Sequence, residues 1–476
     1  MRKALAILIV LVILCTSGII AAHAVVNTQR DQVTISENVI YGDKMAADGL
    51  NIIRKATWDE RLHWQTDYNI SSENTYRTDF HFTQSREYER IRGIPTGSIS
   101  LGLTVGSGMG SSHEITREDI TNLAAGYEEL CLDVMEAAPA GEEYRDIVQV
   151  SDYFDFFPLQ VYLDFPNVYR LESRSPDRYY VRPIDGEDCT EVNEALNEYF
   201  KFPVSDDDLV MVELYKNDNG EVTELNISTL EWTTEFWVLS AVTPSGAYFA
   251  FDCGDDIDFT NIKGGCGIYC LPFNASFEYG GEIYPTVNTE ELGMVYPLDV
   301  NTRIENMFYE EEQNRLVLIT VENNMLMFTT IDLSTLETLQ RIEICDCEED
   351  GGVWRTSRDE NFITLYLGSD RIVVLEMLDN GEYSLEFVVN VRPEGQDELF
   401  WYNSNSTKAY DGERLAMCWS RDIDEAPYSD CGFYVAIYDK TGLLYYGEYL
   451  SGLMTGRNAN DYGYYCNPID ISLTWK

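Results

Sequence analysis

The sequence predicts an all-β protein, on two observations. From about residue 205 to the end, short runs rich in β-branched and aromatic residues follow one another, separated by Gly-ended turn signals at the intervals of all-β folds. Helical periodicity, by contrast, is confined to two short stretches that read as insertions.

The N-terminal segment stands apart from the fold. Arg2 and Lys3 make a basic start, the run from Ala4 to Ala22 carries no charge, and Ala22-His23-Ala24 reads as a cleavage site. Residues 1–24 are therefore expected to be a signal peptide or, since the run approaches the ~20 residues that cross a bilayer, a retained membrane anchor. Cys15 follows Leu14, where a lipobox has a small residue, so lipidation is not expected. Residues 25–39 read as a linker and 40–476 as a single domain.

Gly49 to Ala56 and Arg61 to Tyr68 read as two strands around a Trp58-Asp59-Glu60 turn, and Asp470 to Trp475 suits a closing partner, because an unclosed ring leaves open strand edges. The first insertion, near 116–136, begins where Thr116 and Asp119 form a capping box, with Ile120, Leu123, Tyr127, Leu130, Cys131 and Val134 on one face. The second, near 190–202, is capped by Thr190 and carries Val192, Ala195, Leu196, Tyr199 and Phe200 on its apolar stripe. Both read as packing helices.

Hairpins follow. Leu209–Lys216 turns at Asn217-Asp218-Asn219-Gly220 into Val222–Ile227, and Trp232–Val242 turns at Thr243-Pro244-Ser245-Gly246 into Ala247–Asp252. Ile372–Leu378 turns at Asp379-Asn380-Gly381 into a run from Tyr383 to Val391, and Phe433–Tyr438 turns at Asp439-Lys440-Thr441-Gly442 into Leu443–Tyr449. Each Gly supplies the positive φ of a tight turn. Residues 305–345, 354–391 and 409–450 group these strands in threes and fours, and roughly 40–50 residues per four-stranded unit is one propeller blade. The expected fold is a β-propeller of about six to eight four-stranded blades with two inserted helices.

The stretch Leu326-Met327-Phe328-Thr329-Thr330-Ile331-Asp332-Leu333-Ser334-Thr335-Leu336-Glu337-Thr338-Leu339 resembles the strand, Asp-containing turn and next strand of WD40- and YVTN-type propellers. The resemblance spans roughly the last three-fifths of the chain and lacks the Gly-His and Trp-Asp signatures of WD40. It implies a fold and transfers no catalytic residue.

Composition excludes several functions. With 82 Asp+Glu against 33 Lys+Arg the formal charge is −49, which opposes nucleic-acid binding and docking on anionic lipid, since both draw on Lys and Arg. Nothing beyond His113 carries an imidazole, so Ser/His/Asp, Cys/His and His-rich metal chemistry are disfavoured. His63 and His81 read as packed or half-exposed strand residues. Cys131, Cys189, Cys253, Cys266, Cys270, Cys345, Cys347, Cys418, Cys431 and Cys466 permit disulfides, buried thiols or, at Cys253, Cys266 and Cys270 with a distant fourth ligand, a zinc site; no C-x2-C pair matches the C-x3-C of Cys266 and Cys270, so the zinc signal is weak.

Three constellations bear on chemistry. Gly106-Ser107-Gly108-Met109-Gly110-Ser111-Ser112 sits between a strand and a helix, as phosphate loops do, but its glycines have the wrong spacing and no Lys follows, so it reads as a mobile glycine loop. Asp252 to Asp258, echoed at Asp206–Asp208 and Asp422–Glu425, reads either as solvated turns or as a calcium loop, with Asp255, Asp256 and Asp258 as candidate ligands. No other cofactor is expected. A carboxylate pair for glycoside hydrolysis is the alternative chemistry, with no one pair marked out among 82 acids. The expected function is an exported, monomeric binding or interaction module at the outer cell surface, for a protein or glycan partner. A glycan-active hydrolase and a structural accessory of a membrane complex are the alternatives, and the membrane is met only through the N-terminal segment.

Overall fold

In the computed structural model the strands assemble into six antiparallel sheets of four or five strands and one two-stranded ribbon, among the described residues. Those residues are 2–30, 35–58, 62–70, 75–82, 98–102, 106–110, 113–117, 119–120, 127–158, 160–164, 190–231, 237–252, 259–279, 282–347, 352–359, 361–368, 371–393, 406–420, 431–451 and 468–476.

Sheet I joins Leu50–Trp58, Leu62–Asn69 and Thr75–Phe82 to Pro468–Trp475. Sheet II holds Gly106–Gly110, Glu143–Gln149, Leu209–Lys216 and Val222–Glu231. Sheet III is built on Trp237–Thr243, Gly246–Asp252 and Gly267–Tyr279, extended by Glu282–Val287 and Gly293–Pro297. Sheets IV and V are plain four-stranded meanders, Arg303 to Asp346 and Val353 to Asn390. Sheet VI runs from Thr407 to Ser451 and takes Ile35–Gly42 as a fifth strand beside Gly442–Ser451. Successive four-stranded antiparallel sheets, with strands from the two chain ends crossing over to complete the first and the last, are the construction of a β-propeller, and the fold is of that class.

The turn chemistry is visible in the backbone. Gly220, Gly381 and Gly442 have φ of 87°, 82° and 116°, where a Cβ would be strained; Gly246 departs from the expectation, since it pairs with Thr243 as the first residue of its strand and Pro244-Ser245 make the turn. Asn323 and Asn324, at 51° and 64°, make the two-residue turn between Arg315–Glu322 and Met325–Asp332. Asp332 accepts from the amides of Ser334 and Thr335, which fixes the turn in the stretch that resembles WD40 and YVTN repeats.

The chain divides into two compact units. One, residues 1–91 with 353–476, carries sheets I, V and VI; the other, 92–352, carries sheets II, III and IV. The strand Ile35–Gly42 begins inside the segment read as a linker.

In the first unit, Tyr445 and Tyr449 donate to Glu37 of the added strand at 2.9 and 3.3 Å, while their hydroxyls lie 2.7 Å apart and Lys44 bonds the same carboxylate. Pro468–Trp475 is held to sheet VI as well as to sheet I. Thr407 donates to the carbonyl of Ile471, Trp475 donates to that of Ala409, and the Arg414 guanidinium lies 4.1 Å over the Trp475 ring.

Three helices are described. α1 (Arg2–Arg30) contains a run, Ile9–Thr28, long and apolar enough to cross a membrane, a test that signal sequences also pass. α2 (Glu128–Ala137) and α3 (Thr190–Tyr199) are the two insertions. Thr116 and Asp119 make the expected capping box, with the Thr116 amide and hydroxyl bonding the carboxylate at 2.8 and 2.7 Å. The helical stretch nevertheless restarts: Tyr127 is non-helical, and α2 begins at Glu128.

Both insertions bury their apolar stripes in the core of the second unit. Tyr127, Leu130, Cys131 and Val134 join Leu196 and Phe200 against Val210, Val212, Leu214, Leu225 and Ile227 of sheet II and Phe249 and Phe251 of sheet III. Lys216 ties sheet II to the end of α2 by donating to the carbonyls of Met135 and Ala138, a favourable place for a cation.

Candidate functional site

The insertions cover one face of sheet II and leave the other open, polar around Glu213 and apolar where Ile147 lies opposite Met211. Along Leu209–Lys216, Val210, Val212 and Leu214 are buried and Met211, Glu213 and Tyr215 are not, the two-residue alternation of a half-buried strand. Because paired residues share a face, the register places Glu143, Tyr215, Glu224 and Gly110 in one row across the outer face and Arg145, Glu213, Asn226 and Gly108 in the next.

Gly106, Gly108 and Gly110 pair with Ser228, Asn226 and Glu224. With a period of two, all three glycines fall on this face, and the edge strand presents bare backbone where its neighbours present side chains. A Cβ at Gly110 would meet nothing within 4 Å. This corrects the expectation of a mobile glycine loop: tertiary pairing overrides the weak strand propensity of glycine, and the spacing that fails as a phosphate loop succeeds as an open shelf.

The result is a cavity of about 700 Å³ lined by Glu143, Tyr144, Arg145, Glu213, Tyr215, Glu224 and Asn226 among others, within the size range of small-ligand sites. Asn226 donates to Glu213 at 3.2 Å, and the Arg145 guanidinium approaches the same carboxylate at 3.7 Å. That ion pair is largely exposed and contributes little to stability, so its members remain available to a ligand. The face thus offers acceptors at Glu143 and Glu224, donors at Arg145 and Asn226, and the amphipathic ring of Tyr215.

Sequence reasoning did not single out these residues, although two signals were present: the alternation Val210-Met211-Val212-Glu213-Leu214-Tyr215 and the G-x-G-x-G period. What it lacked was the pairing partner of Gly106–Gly110.

The calcium candidates Asp255, Asp256 and Asp258 lie outside the described residues, as do Asp422, Ile423, Asp424 and Glu425. Among the described residues no three His, Cys, Asp or Glu side chains form a group suited to a metal. The other acidic echo is a structured turn, where Asp208 is buried and accepts from the Ser205 amide at 2.6 Å. Cys131, Cys266, Cys270, Cys345, Cys347 and Cys418 are thiols rather than disulfides. Burial pushes Cys131 up to about 12 and both Cys266 and Cys270 up to about 11, which holds them in the un-nucleophilic form. His63 and His81 do lie in strands, as expected, but they are not isolated: they are direct partners across sheet I with their rings stacked.

No family model matches the chain, and no curated protein matches it. Solved structures do. A protein from Lactobacillus plantarum is 13% identical over 50% of this chain and 60% of its own, with a TM-score of 0.21; this chain therefore spans less than two thirds of that structure. A putative 6-phosphogluconolactonase from Bacteroides fragilis is 8% identical over 83% of this chain and 92% of its own, at 0.28. The WD40 domain of SCAP from fission yeast is 9% identical over 84% and 72%, at 0.20. These similarities carry no functional argument, and function rests on the site itself.

Proposed function

We propose that the protein is a binding module that holds a glycan on the outer face of sheet II, and that it acts outside the cell. The observation that carries this reading is the bare glycine shelf beside Tyr215, Asn226, Arg145 and three glutamates. A polyhydroxylated ring needs donors and acceptors spread over a shallow surface and an apolar ring to lie against, and this face supplies both. The N-terminal apolar helix supports export, whether as signal or anchor, and the charge of −49 disfavours nucleic acid and anionic lipid as partners.

The test is a glycan array followed by titration calorimetry with the best oligosaccharide. Binding by the native chain that falls at least about tenfold in Tyr215→Ala and Asn226→Ala, a loss of about 1.4 kcal/mol or more, supports the reading. Absence of any glycan binding, or binding unchanged in both variants, overturns it. The three glutamates on one face also favour a second reading, glycoside hydrolysis, which needs two carboxylates flanking one bond. Release of reducing sugar by the native chain but not by Glu213→Gln would select that reading.

A further inference from the structure

We propose that the outer face of sheet II selects amino sugars, glycans that carry a primary ammonium, over neutral ones, a selection that rests on the glycan reading and narrows it to a class of sugar. Tyr215 pairs with Glu143 on one side and with Glu224 on the other, so it stands in a row between two carboxylates. Paired side chains on antiparallel strands start about 4.5–5.5 Å apart, which puts both carboxylates within reach of a cation seated on the ring. An ammonium within about 6 Å of a tyrosine centroid is attracted by the ring face, and each flanking carboxylate adds a charge-assisted hydrogen bond. All three residues line the cavity of about 700 Å³.

The charges on this face are unevenly met. The Arg145 guanidinium lies 3.7 Å from Glu213, and Asn226 donates to the same carboxylate at 3.2 Å, so both turn to the next row. Lys216, the residue after Tyr215, is committed to the carbonyls of Met135 and Ala138. Among the described residues no ion pair or side-chain hydrogen bond engages Glu143 or Glu224, and both are exposed.

A neutral sugar laid on Tyr215 strips water from these two carboxylates and supplies no charge in return. An ammonium removes that cost and gains the ring and both acids at once, so the site discriminates by penalising the neutral ligand as well as by attracting the charged one. Beyond the row of Arg145 and Glu213 the face turns apolar, with Ile147 opposite Met211, which confines the charge selection to the Tyr215 end.

The experiment is calorimetric titration of the full chain in detergent with a β-linked glucosamine hexamer and with the same hexamer fully N-acetylated, at about pH 6, where free amines are protonated and ordinary carboxylates ionised. N-acetylation removes the charge and keeps ring, linkage and length. The charged hexamer should bind at least about tenfold more tightly. That preference should fall to about twofold or less in the double variant Glu143→Gln with Glu224→Gln, whose exposed positions leave the fold intact. Hexalysine is the control for charge without a sugar ring. Equal binding of the two hexamers, a preference for the acetylated one, a preference unchanged in the double variant, or hexalysine held as tightly as the glucosamine hexamer overturns the selection and leaves the glycan reading standing. An array on which no sugar binds removes the glycan reading, and the selection with it.

Discussion

Sheets II and VI use tyrosine in opposite ways. In sheet VI, Tyr438, Tyr445, Tyr446 and Tyr449 are all but inaccessible to solvent, and the hydroxyls of Tyr445 and Tyr449 converge on one carboxylate. In sheet II, Tyr215 lies on the outer face among exposed and half-buried polar side chains. The first arrangement locks a strand in place; the second leaves an amphipathic ring ready for a ligand. The cause is what covers each face: apolar residues of neighbouring strands bury the rings of sheet VI, whereas α2 and α3 cover only one side of sheet II.

The largest effect that sharpens this contrast is alkaline unfolding. Burial holds the phenols of Tyr438, Tyr445, Tyr446 and Tyr449 above the ordinary tyrosine range, and neighbouring carboxylates or tyrosines add to it. The folded state then binds more protons than the unfolded state above pH ~10. The stability these neutral phenols contribute is complete below that pH and is lost as pH rises through the folded values. The loss is expected to be on the order of several kcal/mol, so phenolate absorbance should appear in one cooperative step coincident with loss of near-UV circular dichroism. Gradual ionisation with the fold intact would break the comparison.

Next in size is the anchor itself. Glu37→Gln removes the charge that accepts from two phenols and pairs with Lys44, and should cost about 1.5–3 kcal/mol; Tyr449→Phe should cost about 1 kcal/mol. Urea denaturation followed by circular dichroism measures both.

The smallest expected stability effects lie on sheet II. Tyr215→Ala should change stability by less than about 0.5 kcal/mol, and Gly110→Val should be near neutral or slightly stabilising, since its Cβ meets open space and valine suits a strand. Both should nonetheless weaken glycan retention on an affinity column. A sizeable stability loss in either would make the face structural and dissolve the contrast with sheet VI.

These regions also differ in how far the sequence disclosed them. The hairpins of sheets IV, V and VI are local: Asp-Asn-Gly at 379–381 and Asp439 to Gly442 announce their own turns, and strand alternation does the rest. The pairing of Leu50–Trp58 with Pro468–Trp475 was legible too, because a ring needs a partner for its first strand and only one candidate lay at the other end. Sheet II was not. Its edge strand Gly106–Gly110 pairs with Val222–Glu231 across both insertions, and nothing in five glycine-rich residues names so distant a partner. His63 and His81 show the same limit on a smaller scale, since their opposition depends on the register of one hairpin.

The two-part make-up of the first unit has a temporal consequence. The second unit, residues 92–352, is one continuous stretch, but the first combines residues 1–91 with 353–476. Sheet I lacks its fourth strand, and Ile35–Gly42 lacks its neighbour, until the last part of the chain has been synthesised. Early strands must therefore wait while the intervening segment emerges and collapses on its own hairpins. Their completion is a late, long-range event with the slow kinetics of distant contacts, so the last-made strands decide when the first-made ones are finished.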